Sequence, residues 1–144
     1  MLDAYRDLID DLLSTPTDIR GLVMASGDVA PSAEAKRLIA EIRDRDRAIL
    51  ERVQRITREE TPYLPVLHFS GTNDDEDFST LLDDMESARG DLVSLLINLS
   101  LKDWTRSAVD EAEGEITLAD EIEQHVEFDE LQRRTLRESN LSSR

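Results

Sequence analysis

Three residues on one face of a helical stretch near the C-terminus could do chemistry. Leu118, Ile122, His125, Asp129, Arg133 and Leu136 follow a four-three-four-four-three spacing, which places them on one side of an α-helix. The stripe begins and ends apolar, with an imidazole, a carboxylate and a guanidinium between. A histidine and a carboxylate one turn apart can share a divalent metal, and a buried carboxylate can hold a guanidinium. Buried groups of this kind must be paired or must hold something. We read His125 first as a core histidine hydrogen-bonded to a carboxylate, and second as a metal ligand.

A helix must carry those groups, and others must enclose it. Gly114 opens a turn, Thr117 caps the helix, and Asp120 three residues on completes a capping-box-like start. This helix is expected to end near Glu138, with residues 140–144 frayed. Upstream, Phe78, Leu81, Leu82, Met85, Ala88, Leu92, Leu95, Leu96 and Leu99 keep a near-heptad stripe over about Asp77 to Leu99, interrupted only by Gly90. Ser32 caps another helix running to about Glu60, with Leu38, Ile42, Ile49, Val53 and Ile56 as its core stripe and Arg45 in the gap. Its Arg43, Arg45, Arg47, Arg52 and Arg55 are expected to pair along the helix with Asp44, Asp46, Glu51 and Glu59. The first helix places Leu2, Tyr5, Ile9, Leu12 and Leu13 at helical spacing. Thr15-Pro16 then either bends it or starts a second helix through Ile19, Leu22 and Val23.

Between these lie the connections. Gly27 to Pro31, Gly71 to Asp77 and Arg106 to Gly114 read as loops, and no segment reads as β-rich. Thr61 to Leu67 holds two prolines and must be extended, with Leu64, Val66 and Leu67 packed across the bundle. Ser100 to Trp104 reads as a turn that plugs Trp104 into one end of the core. The acidic run Asn73 to Asp77 lacks the glycine and spaced glutamate of a calcium loop and reads as the solvated start of a helix. His68 reads as a surface or cleft-edge residue.

The chain has 144 residues, suited to one domain, and a formal net charge of −16, which repels nucleic-acid phosphates and anionic lipid. Nucleic-acid binding and membrane association are therefore not expected. Cysteine is absent, which removes disulfides, thiolate metal sites and cysteine nucleophiles. The first residues carry no basic flank and apolar block, so no signal peptide is expected and a cytoplasmic location is the plain reading. No phosphate-binding glycine loop and no Ser-His-Asp arrangement can be assembled.

In order along the chain, Leu12-Leu13-Ser14-Thr15-Pro16, Leu38 to Asp46, Tyr63-Leu64-Pro65, Leu99 to Trp104 and Gly114 to Leu118 together resemble the DinB-like superfamily. That superfamily includes damage-inducible DinB proteins and relatives that act as thiol-dependent transferases. The resemblance implies an all-α, DinB-like four-helix bundle spanning residues 1–144, a long crossover between helices 2 and 3, and a homodimer. It also implies a divalent metal, nickel or zinc, held by one histidine of helix 2 and two of the last helix. Those positions fall here on Glu41, Asp129 and Arg133, with His125 at a further histidine position. Arginine offers no lone pair to a metal. The expectation is a degenerate, non-catalytic site in which Glu41 and Asp129 accept from Arg133, with His125 nearby. No metal cofactor is then needed, and the cleft is left for a small ligand or a protein. The alternative is an altered metal site of Glu41, His125 and Asp129, serving a metal-dependent, thiol-linked transferase or hydrolase-like enzyme.

Overall fold

A computed structural model describes residues 3–25, 32–69 and 76–142. Four long helices carry the fold: α1 (Asp3–Met24), α2 (Ala33–Arg58), α3 (Phe78–Ile97) and α5 (Leu118–Ser142). The one-turn helix α4 (Leu101–Trp104) and strands β1 (Tyr63–Leu64), β2 (Ser107–Asp110) and β3 (Gly114–Thr117) close one end.

Neighbouring helices around the bundle run α1, α3, α2, α5, so the consecutive pair α1 and α2 lie diagonally across it. Side-chain pairs give the directions. Arg20 of α1 reaches Glu86 while Leu12 meets Arg89, so α1 and α3 are antiparallel. Arg52, Asp46 and Glu41 of α2 meet Glu121, His125 and Gln132, so α2 and α5 are antiparallel. Lys36 bonds the Glu76 carbonyl and Asp46 bonds Arg89, so α2 and α3 are parallel. A parallel pair needs the chain to return along the bundle between its members, which is the long crossover expected from the two prolines.

The core has two apolar clusters. One joins Ile9, Leu12, Ile49, Val53, Ile56, Leu92, Leu96, Trp104, Leu118 and Ile122. The other joins Ile19, Leu38, Ile39, Ile42, Leu81, Leu82, Met85 and Leu136. Trp104 is the plug at the first end. The Ser100–Asp103 capping box holds its turn, and its ring stacks on Tyr5 with centroids 4.4 Å apart.

Several expectations change. α1 is one continuous helix with Pro16 inside it, and Leu13 is half exposed rather than core. Val66 also lies exposed, while Leu64 is fully buried as expected. The segment read as a loop after Arg106 is an antiparallel hairpin, with β1 adding a parallel third strand in the order β1-β2-β3. Strands of two to four residues are too short to show a period of two in sequence. The hairpin turn is nevertheless chemically specified: Asp110 accepts from the backbone N–H groups of Ala112 and Glu113, and Gly114 takes a φ of 79°. α5 continues to Ser142, past the expected end at Glu138. Gly90 sits on an exposed face, where an added Cβ would meet nothing within 4 Å among the described residues. The expected loop at Gly27 to Pro31, Leu2, most of the acidic run and the last two residues lie outside the described residues.

Candidate functional site: a buried charged layer

Between the two apolar clusters, every long helix contributes a polar side chain to one layer. Thr15 comes from α1, Asp46 from α2, Arg89 from α3, and His125 and Asp129 from α5. All are 1 % exposed or less. Each sits on the core stripe of its helix: Leu12-Thr15-Ile19, Ile42-Asp46-Ile49, Met85-Arg89-Leu92 and Ile122-His125-Asp129 keep three- and four-residue steps.

Arg89 is the hub. Its Nε donates to Asp46 Oδ1 at 3.0 Å, and its Nη2 lies 2.9 Å from the same oxygen. Nη2 and Nη1 donate side by side to Asp129 Oδ1 and Oδ2, at 2.8 and 2.7 Å. Nη1 also donates to the Leu12 carbonyl at 2.7 Å. The guanidinium thus donates from all three of its nitrogens, to two carboxylates and a backbone carbonyl. Burial opposes its charge, but Asp46 and Asp129 outweigh that cost and hold Arg89 above the usual arginine value.

The carbonyl of Leu12 is available because of Pro16. In an α-helix the amide of residue 16 would donate to the carbonyl of residue 12, and proline has no N–H. The vacancy that proline makes in α1 is filled across the bundle by Arg89. Thr15, the residue before that proline, donates its hydroxyl to Asp129 Oδ2 at 2.9 Å and accepts from Arg133 Nη1 at 2.9 Å.

His125 links the layer to α2 a second time. Arg45 Nε donates to His125 Nδ1 at 3.0 Å, and His125 Nε2 lies 2.6 Å from Asp46 Oδ1. An Nδ1 that accepts from arginine carries no proton, so the ring is neutral with its hydrogen on Nε2, donated to Asp46. Arg89 thus lies between Asp46 and Asp129, and the imidazole bridges Arg45 to Asp46. Burial, together with repulsion from Arg52, lowers the Arg45 value, and Glu121, Asp129 and Asp46 oppose that shift. Its guanidinium also lies over the Phe128 ring, 4.9 Å from the centroid.

The sequence-predicted positions divide. His125 and Asp129 are in the layer, and His125 is the carboxylate-bonded core histidine of the first reading. Arg133 is not the cation that Asp129 pairs with. It reaches Thr15 and lies 3.5 Å from Asp18 at the layer's edge. Glu41 is outside as well: its oxygens accept from Arg37 and from Gln132. In the antiparallel register of α2 and α5, Glu41 falls opposite Gln132, and Asp46 falls opposite His125. Sequence reasoning missed Asp46 and Arg89, although both occupy core-stripe positions. Reading the α2 and α3 stripes for polar interruptions, as was done for the last helix, would have found them.

The alternative metal set of Glu41, His125 and Asp129 does not fit a metal. Both imidazole nitrogens are engaged, one with Arg45 and one with Asp46. The Asp129 oxygens face a guanidinium, and the Glu41 oxygens face Arg37 and Gln132. Among the described residues, no three His, Cys, Asp or Glu side chains converge as a metal site.

A second buried pairing lies one layer away. Arg52 Nη1 donates to Asp110 Oδ1 and Glu121 Oε1, both at 3.0 Å, and Nη2 bonds the Pro65 carbonyl. It ties α2 to the hairpin, to α5 and to the crossover. The Arg-rich face of α2 therefore divides. Arg55 pairs with the adjoining Glu59 and Arg43 with Asp44 as expected, but Arg43 also reaches Glu76 beside α3, and Arg45 and Arg52 pair across the bundle. His68 is exposed at the edge of a shallow cleft, as expected.

No known family profile matches the chain, and no curated protein does. Among solved structures, YfiT from Bacillus subtilis superposes with a TM-score of 0.78 over 96 % of this chain and 87 % of that one, at 17 % sequence identity. That protein is described as a probable metal-dependent hydrolase with an unusual four-helix bundle topology. Among the described residues no helix is long and apolar enough to cross a membrane. The chain is thus an all-α protein with the four-helix bundle fold of YfiT.

Proposed function

We propose that this chain is a diverged, non-catalytic DinB-like protein, in which a guanidinium–carboxylate layer stands in place of a metal centre. One observation supports it above the rest. The cation between Asp46 and Asp129 is Arg89, a fixed side chain whose donors occupy carboxylate oxygens that a metal would need. A metal ligand must present a lone pair, and the lone pair of His125, on Nδ1, is taken by Arg45 Nε. The function then lies in binding at the surface beside the layer rather than in chemistry within it.

The competing reading, a metal-dependent transferase or hydrolase, draws on the fold shared with YfiT and its described activity. Fold alone does not carry activity. Calorimetric titration of the purified, tag-free protein with zinc and with nickel separates the two. The proposal expects no stoichiometric binding heat. Binding of one ion per chain that disappears in Asp129→Ala would refute it and return the site to metal chemistry.

A further inference from the structure

A cleft of about 170 Å³ opens beside the charged layer, between α2, α5, the β2–β3 turn and the crossover residues Val66 and Leu67. Its polar lining is Arg45, Arg52, Asp110, Glu113, Glu121 and Gln124. Two of these charges are unfinished. Glu121 is 1 % exposed, and its Oε1 is bonded to Arg52, yet its Oε2 is buried with no hydrogen-bond partner. A buried carboxylate oxygen with an open lone pair is costly unless a donor completes it. Arg45 has the opposite deficit. Its Nε is spent on His125, and among the described residues no carboxylate pairs with its guanidinium, which leaves the Nη donors unspent. Arg52, by contrast, already holds two carboxylates and a backbone carbonyl, through Asp110, Glu121 and Pro65.

We propose that this cleft binds a small zwitterion of the α-amino-acid class, with its ammonium on Glu121 Oε2 and its carboxylate on the Nη edge of Arg45. The volume sets the size. A space of about 170 Å³ suits the charged end groups of a short-chain amino acid. The charges set the class. A simple anion leaves Glu121 uncompleted, and a simple cation leaves Arg45 uncompleted. Gln124, with both donor and acceptor, can serve either end of the ligand. The inference rests on the reading above only in placing function at the cleft. Metal titration and ligand binding are separate measurements, so failure of one leaves the other standing.

The test is ligand-observed NMR and calorimetry on the full-length protein with glycine, L-alanine and L-serine, using acetate and methylammonium as single-charge controls. The expected result is saturable binding of at least one amino acid. Either control should bind at least about tenfold more weakly, since each lacks one charged hydrogen bond. In a protein-observed spectrum of the labelled wild-type protein, amide shifts should cluster at Ala112, Glu113 and Gln124, a readout that needs no variant. Glu121→Gln and Arg45→Gln, each confirmed folded by circular dichroism, should each weaken binding about tenfold or more. Absence of binding by all three amino acids, controls that bind as tightly, or shifts located elsewhere on the bundle would each overturn the proposal.

Discussion

Replacing Arg89 by methionine keeps much of the side-chain volume and removes the charge, and its cost can be worked from the layer. Asp46 and Asp129 become buried carboxylates with no cation between them, at 0 % and 1 % exposure. Removing one partner of a buried ion pair costs about 3–5 kcal/mol. The Leu12 carbonyl also loses its donor, and Pro16 supplies no amide to take over. An orphaned buried acceptor costs about 1–3 kcal/mol. The terms are not additive, but a loss of at least about 4 kcal/mol is expected, against a total stability of about 5–15 kcal/mol for a domain of ordinary size. The chain should be at the edge of unfolding near neutral pH. Adding Asp46→Asn and Asp129→Asn should recover most of the loss, because the amide oxygens still accept from His125 and Thr15 without a charge. Urea unfolding followed by circular dichroism reads both the loss and the recovery. A deficit below about 1 kcal/mol would refute the assignment of Arg89 as the hub.

Two further substitutions test the backbone arguments. Pro16→Ala restores an N–H to an interior helical position where proline ordinarily costs about 3 kcal/mol, but Leu12 already has a donor in Arg89. The gain in urea midpoint should correspond to about 1 kcal/mol or less, and recovery of the full helical penalty would mean that the Arg89 bond contributes nothing. Gly114→Ala meets no atom within 4 Å, so its only cost is the φ of 79°, about 1–2 kcal/mol by thermal unfolding. An unchanged melting temperature would show that the hairpin turn relaxes freely.

The helices were legible because their stripes are long. Leu38, Ile42, Ile49, Val53 and Ile56 keep one face for five turns, and every one of them is buried. Local caps were legible too, because a cap is written within four residues. Ser32 accepts from the Ala35 amide, and Thr117 and Asp120 exchange bonds as the capping box requires. The hairpin was not legible, because Ala108 and Ile116 are the only apolar anchors of β2 and β3 that face inward, and two anchors do not make a period. Partner choice within the site was legible only in kind. The spacing of His125 and Asp129 showed that a buried polar layer must be satisfied. Which carboxylate and which cation satisfy it depends on helix register, a long-range property. Glu41 and Asp46 lie five residues apart on α2, and only the antiparallel docking of α5 decides which of them meets His125.

That dependence also runs in reverse, and it gives the charged layer its structural purpose. Apolar side chains of similar size tolerate small shifts between helices, because contact area changes little. A saturated network does not. Sliding α3 by one turn, about 5.4 Å, would carry Arg89 away from Asp46, Asp129 and the Leu12 carbonyl together, into one of the two flanking apolar clusters. The penalty for the wrong register is then an unpaired buried guanidinium and two unpaired carboxylates, even though the net gain in the right register is small. This discrimination matters most for α2 and α3. A parallel pair joined by a long crossover gets no register from a tight turn, unlike the hairpin β2–β3, whose turn sets its pairing. The bond from Arg89 to Leu12 extends the same control to α1, and only because Pro16 leaves that carbonyl open. A proline that looks like a defect in one helix thus completes the constraint that aligns it with the other three.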